Sequence, residues 1–186
     1  MALAACGDDG EGSAGRASQP SADATTASRT TYPLTVQNCG RSVTFDKAPQ
    51  RVITYYQTTL ETLLALGLQD RIIGRAKFEA SALPDQAQAS DSIRQLSGST
   101  TAPTKEILFD SRPDFVFARL PKTEFDAAKG LATQKEIEAN GIDVYVMSAQ
   151  CTPETVASLE HVLSDITTLG RIFDVQDRAN RLLRCV

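Results

Sequence analysis

The sequence of 186 residues has no tryptophan and a single histidine, and aromatic residues make up only 6% of it. The histidine, His161, lies in a segment with strong helical periodicity, where we expect it to face solvent or to pack against a neighbour. One histidine in this setting favours neither a histidine-based catalytic triad nor a histidine-ligated metal site.

Several motifs that carry chemistry are also missing. The chain has no glycine-rich phosphate loop ending in Lys-Ser or Lys-Thr, no Gly-x-Ser-x-Gly elbow and no Cys-x-x-Cys pair. Acidic residues are plentiful, but the sequence marks out no pair of them as a catalytic dyad. We therefore predict no catalytic residues, no metal site and no cofactor.

Long runs of one chemical character are missing as well. No apolar stretch approaches the roughly 20 residues of a transmembrane helix, so none is predicted. The net charge of −4, without a basic run, argues against a nucleic-acid partner. Hydrophobic residues make up 41% of the chain, which can fill the core of one ordinary domain.

The first 31 residues differ in composition from the rest. From Cys6 to Thr31 there is almost no large apolar residue, which predicts a disordered polar tether. The opening Leu3-Ala4-Ala5-Cys6 resembles a lipobox, the bacterial signal in which a cysteine after small residues is acylated. The alternative is an arbitrary cysteine in a low-complexity tail. Because only two residues precede Leu3, we expect the true start to lie upstream, or this start to be wrong.

The remaining residues alternate between strand and helix signals. A β-hairpin is predicted over 34–45, with its turn at Asn38, Cys39 and Gly40. Strands are predicted over 51–56, 71–76, 114–118 and 141–147, and helices over 58–67, from residue 103, over 123–140 and over 152–170. This order predicts an α/β fold in which a mostly parallel sheet is flanked by helices and preceded by the hairpin.

Local signals mark the ends of two of these helices. Thr58 and Glu61 have the spacing of a capping box at the start of the first. Thr152 and Pro153 predict the N-cap and first turn of the last helix. In that helix the spacing of the apolar residues places three of them on one face: Leu159, Leu163 and Ile166.

The expected bonding of the four cysteines depends on where the protein is located. If Cys6 carries a lipid, the domain lies outside the cytoplasm, where disulfides persist. Cys39 in the hairpin turn and Cys151 at the end of the last strand then form the expected pair. The alternative is two buried free thiols. Cys185 has no partner left, which indicates an ending that is not native or a bond outside this chain.

Aromatic, amide and basic side chains follow the predicted strands. Ligands of an open parallel sheet bind beyond the carboxyl ends of its strands. The candidates are Tyr55, Tyr56, Gln57 and Thr58 after the first strand, Lys77 and Phe78 after the second, and Arg119 after the third. Their chemistry suits a bulky, partly aromatic anion such as a ferric siderophore. Alternatively, Lys77 and Arg119 are solvated surface charges and the tyrosines simply pack.

Three segments carry a resemblance to a known family. They are "YPLTVQNCGRSVTFDKAPQRVITYYQTTLETLLALGLQDRIIGRA", "KEILFDSRPDFVFA" and "LGRIFDVQDRANRLL". From about Tyr32 to Leu183 the chain resembles the first lobe of a substrate-binding protein of an iron-siderophore/cobalamin ABC importer, in its lipoprotein form. In that family one long helix joins two α/β lobes, and the ligand lies between them. The resemblance implies a lipobox remnant and tether over 1–31, a first lobe over 32–172 and the start of the inter-lobe helix over 173–186, and we expect the second lobe of the family to be missing from this sequence.

The resemblance also implies a function and further site residues. It implies capture of a ferric siderophore without catalysis, with cobalamin or haem as the alternative ligand, and an anchor through Cys6 to the outer face of the cytoplasmic membrane. Arg119 falls where the family contacts its ligand, and Glu106 matches the acidic residue that docks on the permease. A carboxylate at Glu106 also simply complements a helix dipole. The competing functions are a truncated interaction module and, least favoured, an enzyme on a flavodoxin-like lobe.

Overall fold

The N-terminal part of the fold is a two-stranded hairpin. The computed structural model describes residues 29–76, 82–98, 102–151 and 157–184. Strands β1 (Leu34–Asn38) and β2 (Arg41–Phe45) pair antiparallel, as predicted. Cys39 and Gly40 both have positive φ, at 50° and 74°, which a tight two-residue turn of this hand requires.

The centre of the fold is a four-stranded parallel sheet. Its strands are β3 (Val52–Thr54), β4 (Ile72–Arg75), β5 (Phe115–Ala118) and β6 (Asp143–Val146), and their order in space is β4-β3-β5-β6. Every residue of β5 is buried. Such a strand lies between two covered faces, as in α/β proteins. The predicted α/β class and hairpin are confirmed.

Seven helices in the described residues connect and cover the strands. They are α1 (Gln57–Ala65), α2 (Ala87–Ser92), α3 (Lys105–Asp110), α4 (Pro121–Glu124), α5 (Gln134–Ala139), α6 (Leu159–Ile172) and α7 (Gln176–Arg184). Alternate residues of β5 belong to the hydrophobic clusters on opposite faces of the sheet. Phe115 and Phe117 pack with Leu169 and Phe173, whereas Val116 belongs to the cluster of the opposite face. None of these helices is long and apolar enough to cross a bilayer.

The single helix predicted over 123–140 is wrong. The segment contains α4, a 3-10 turn over Ala127–Lys129, and then α5. Gly130 ends the 3-10 turn with φ 73°, a conformation that interrupts a right-handed helix. Thr133 and Glu136 then form a new capping box that starts α5.

The start of α1 also differs from the prediction. The helix begins at Gln57 after the N-cap Tyr56, and the side chain of Thr59, at the third helical position, bonds back to Tyr56. The Thr59 hydroxyl accepts from the backbone N–H of Tyr56 at 3.2 Å and donates to the Tyr56 carbonyl at 2.6 Å. The predicted capping box at Thr58 and Glu61 is therefore wrong: the N-cap lies two residues earlier, at Tyr56, and Gln57 and Thr58 fall in the first turn of the helix.

The last predicted helix differs from the structure near its start. Thr152 and Pro153 lie outside the described residues, and α6 begins at Leu159 after the N-cap Ser158. There the backbone N–H of Ser158 donates to Nδ1 of the half-buried His161 at 3.3 Å. Leu159 is 56% exposed, so the predicted apolar face is wrong at its first residue. The buried face lies nearer the end of the helix: Asp165, Leu169, Gly170 and Ile172.

Candidate functional site

The carboxyl ends of three neighbouring strands meet at one edge of the sheet. Thr58, which follows β3, donates its hydroxyl to the sulfur of Met147 after β6, at 3.4 Å. Arg119, which follows β5, lies against Tyr56. All of these side chains are half-buried. We call Tyr56, Gln57, Thr58, Arg119 and Met147 together the carboxyl-edge surface.

Arg119 and Tyr56 form the charged centre of this surface. The guanidinium carbon lies 4.3 Å from the centroid of the Tyr56 ring, which is within the range of a cation–π contact. The guanidinium makes no hydrogen bond or ion pair with another described residue. Among the described residues, its planar set of N–H donors is therefore left for an anionic partner with several oxygens, and the ring lies against the guanidinium.

Glu124 lies beneath this pair and holds the turn that carries it. One carboxylate oxygen, Oε2, accepts from the backbone N–H of Arg119 at 2.7 Å and of Leu120 at 2.8 Å. Burial raises the pKa of Glu124, while the bonds from Leu120 and Arg119 and the Arg119 charge act in the opposite direction. Glu124 was not among the predicted site residues. The sequence carries one signal for this helix start. Pro121-x-x-Glu124 has a proline at the first helical position and an acid in the first turn.

Tyr55 and Tyr56 are adjacent but have different surroundings. Tyr55 is 2% exposed, and its ring lies 6.0 Å from that of Phe125 in the core. Burial, followed by the charge of Glu124, raises the pKa of Tyr55. The structure therefore leaves the Tyr55 ring no exposed face for a ligand, while Tyr56 is half-buried at the surface.

The other predicted site residues fall in three places. Gln57 is half-buried and donates to Oε1 of Glu61 at 2.8 Å. Lys77 and Phe78 lie outside the described residues. Glu106 is exposed in the first turn of α3, where a bond from its own backbone N–H and then the Thr104 hydroxyl lower its pKa. Because α3 returns antiparallel to the strands, its start lies toward the carboxyl edge of the sheet.

A buried carboxylate also holds the loop after β6. Asp165, 2% exposed, accepts from the Tyr145 hydroxyl at 2.7 Å and from the backbone N–H of Ser148 at 3.0 Å. Burial raises the pKa of Asp165, and these bonds oppose that effect. Met147 and Ser148 were not predicted as site residues, although the rule of strand ends, applied to β6, would have found them.

The hairpin is joined to the same end of β6 in two ways. The side-chain amide of Asn38 donates to the Val146 carbonyl and accepts from the Val146 N–H, both at 2.8 Å. The next residue, Cys39, forms a disulfide with Cys151, with Cα atoms 4.7 Å apart. The predicted pairing is therefore present in the structure. Cys6 and Cys185 lie outside the described residues.

Comparison with known proteins agrees with this arrangement. Residues 52–186 match the family model described as periplasmic binding protein. The chain belongs to the periplasmic binding protein family. Members of this family are solute-binding proteins that work outside the cytoplasm. No curated protein matches the sequence.

Solved structures of other periplasmic binding proteins have the same fold. A protein of an ABC-type Fe3+-hydroxamate transport system from Saccharomonospora viridis is 31% identical, with a TM-score of 0.65 over 83% of this chain and 53% of its own. A periplasmic binding protein from Veillonella parvula is 25% identical, with a TM-score of 0.68 over 81% and 49%. The siderophore binding protein BauB, solved with acinetobactin and ferric iron, is 20% identical with a TM-score of 0.61 over 80% and 49%. This periplasmic binding protein thus spans about half the length of the solved structures it matches.

Proposed function

We propose that this periplasmic binding protein captures a ferric siderophore for an ABC importer and that the carboxyl-edge surface is one wall of the ligand cleft. The observation that carries the proposal is the Arg119 guanidinium, stacked on Tyr56 at the carboxyl edge with its donors unpaired by described residues. This edge is where open parallel sheets bind ligands.

The chemistry of the surface fits an iron chelate. Siderophores present several oxygens around the metal, and a guanidinium can donate to two of them at once. Tyr56 and Met147 add aromatic and apolar area for the organic part of the chelate, and pockets for small molecules are built from such side chains with a few polar groups. The protein's task is binding, without a bond being made or broken in the ligand.

One wall cannot enclose a ligand. The solved relatives are about twice as long as the part that this chain matches, which supports a cleft closed by a second lobe. We assign residues 32–172 to the first lobe, and we propose that α7 begins the helix that leads to the second. A chelate that rests on the first lobe alone keeps its other face in water, where an ion pair is worth only about 1 kcal/mol at 4 Å.

The proposal also includes a contact with the permease and an anchor in the membrane. Glu106, exposed at the start of α3, is assigned to docking on a basic site of the permease. Cys6 is assigned to a lipid anchor that holds the protein at the outer face of the cytoplasmic membrane, with residues 7–31 as tether. Permease binding by Glu106→Lys and detergent partitioning by Cys6→Ser test these assignments. Each assignment fails if the variant behaves as the parent does.

Nuclear magnetic resonance of the chain tests where a chelate binds. A tris-catecholate chelate is added to labelled protein once with Fe3+ and once with diamagnetic Ga3+, which has the same charge and a similar size. We expect Fe3+ to broaden the amide signals of Tyr56, Thr58, Arg119 and Met147, and Ga3+ only to shift them. Arg119→Ala should reduce both effects.

The control for charge is Lys47→Ala. Lys47 is exposed beside Asp114 and Asp143, at the amino end of the sheet. Lys47→Ala therefore changes the net charge by the same amount as Arg119→Ala without altering the carboxyl edge. The control should leave the broadening unchanged. Broadening centred elsewhere, or equal losses in the two variants, would contradict the proposed surface.

A further inference from the structure

Glu124 is a charged side chain in an unusual position. It is 4% exposed, and it lies in α4 directly after the turn that leaves β5. Its Oε2 atom accepts two backbone hydrogen bonds, whereas its buried Oε1 atom has no hydrogen-bond partner among the described residues. A buried carboxylate with one unpaired oxygen is costly to the folded state.

The two backbone donors identify the task of this carboxylate. They are the N–H groups of Arg119 and of the next residue, Leu120. Both bonds end on one oxygen atom, so together they fix the direction in which the chain leaves β5. A charged acceptor makes such bonds stronger than a neutral one does.

The direction of the backbone decides where the Arg119 side chain lies. Its guanidinium stacks on Tyr56, and no hydrogen bond to a described residue holds it there. The stack therefore depends on the ring on one side and on the backbone of Arg119 on the other. Tyr56 is itself held at the start of α1 by the Thr59 hydroxyl.

We infer that Glu124 is a positioning residue, whose carboxylate orients the backbone of Arg119 and so places the guanidinium on Tyr56 for the ligand. The statement about the ligand rests on the proposed function, whereas the statement about the guanidinium does not. Glu124 touches no ligand in this account and acts through Arg119. Burial raises the pKa of Glu124 and the charge of Arg119 acts against that effect, so the guanidinium favours the ionised carboxylate.

The first test needs no ligand. A guanidinium over the face of an aromatic ring has its Nε–H proton shifted upfield by the ring current, and Tyr56→Phe keeps that shift. Glu124→Gln keeps an oxygen of the same reach for both backbone N–H groups, whereas Glu124→Ala removes it. We expect the upfield shift of the Arg119 Nε–H to persist in Glu124→Gln and to be lost in Glu124→Ala.

A second variant covers the case in which Glu124→Ala does not fold. Glu124→Asp keeps the charge but is one methylene shorter, so it cannot reach both N–H groups without moving the turn. We expect it to lose most of the shift. A full upfield shift in a folded Glu124→Ala or Glu124→Asp, or its loss in Glu124→Gln, would overturn the inference.

The second test is a double-mutant cycle with an anionic tris-catecholate chelate. Glu124→Ala is expected to weaken binding as much as Arg119→Ala, by about threefold to tenfold for one cation–anion contact near the surface. It should cost nothing further in the Arg119→Ala background. Losses that multiply in the double variant would contradict the inference. If no variant and no parent protein bound the chelate, the proposed function would fail while the spectroscopic result stood.

Discussion

Asp143 is a half-buried acid among other acids at the amino end of the sheet. It begins β6 and lies near Asp114, Asp46 and Glu138. Burial and then these three charges raise the pKa of Asp143 from 3.8 to about 6. The folded protein therefore takes up a proton here between about pH 4 and pH 6 that the unfolded chain does not hold, so this group destabilises the fold as pH rises through that range.

Asp143→Asn removes this penalty. We expect the variant to be more stable than the parent at pH 7.5, by about 1 kcal/mol once solvent screening of this half-buried group is allowed for. The two proteins should be equally stable at pH 4, where the carboxyl is protonated in the fold. Urea denaturation at both pH values measures the difference. Asp91→Asn, which removes an exposed acid in α2, is the control and should show no gain at pH 7.5. Equal stability of Asp143→Asn and parent at pH 7.5 would refute the burial effect.

The junction of α6 and α7 depends on a residue without a side chain. A Cβ atom on Gly170 would lie 2.6 Å from the Cβ of Ala179, far inside contact distance. Gly170 therefore sets how closely the two helices pack. Because α7 is the proposed start of the inter-lobe helix, this contact also sets the direction in which that helix leaves the lobe.

Gly170→Ala is expected to destabilise the protein by about 1 to 3 kcal/mol, because extra volume in a packed contact forces backbone shifts. The gain in helix propensity, under about 1 kcal/mol, does not offset that cost. Thermal denaturation followed by circular dichroism measures it. Gly98→Ala, where the new Cβ meets nothing within 4 Å, is the matched control. A Gly170→Ala variant as stable as Gly98→Ala would show that the helices do not pack as closely as the structure has them.

Elements with strong local signals were predictable, and those set by distant contacts were not. The hairpin and the four strands follow from residue alternation and turn residues such as Asn38 and Gly40. The break at Gly130 was missed because the apolar spacing across 123–140 was read without its turn residue. The N-cap at Ser158 was missed because the helical spacing predicted across 152–170 continues through it.

The site was predictable at the level of strand ends, and less so at the level of side chains. The rule of carboxyl ends led to Tyr56, Gln57, Thr58 and Arg119, which lie together in the structure. It could not separate Tyr55 from Tyr56, because both follow the strand and only packing shows which ring is buried. Glu124 acts through two backbone N–H groups, a contact that composition and spacing do not encode.

At the scale of the whole molecule, the carboxyl-edge surface is the proposed wall of a ligand cleft. The sheet brings three strand ends together, the hairpin and its disulfide hold the end of β6, and buried carboxylates hold the loops after β5 and β6. The resulting surface is held by bonds to buried groups, and in the proposed cleft it supplies one wall only. Its affinity for a chelate should therefore depend on a second lobe far more than on any one residue of the first.

Calorimetric titration of ferric chelates tests this claim most directly. The chain alone is compared with a fusion in which α7 continues into the second lobe of the Saccharomonospora viridis protein, each as parent and as Arg119→Ala. We expect the fusion to bind an anionic tris-catecholate chelate at least about a hundredfold more tightly than the chain alone, since a closed cleft buries most of a ligand's surface. In the fusion, Arg119→Ala should weaken the anionic chelate by about tenfold and a neutral trihydroxamate chelate by less. Binding by the chain alone as tight as by the fusion, or equal losses for the two chelates, would contradict the account.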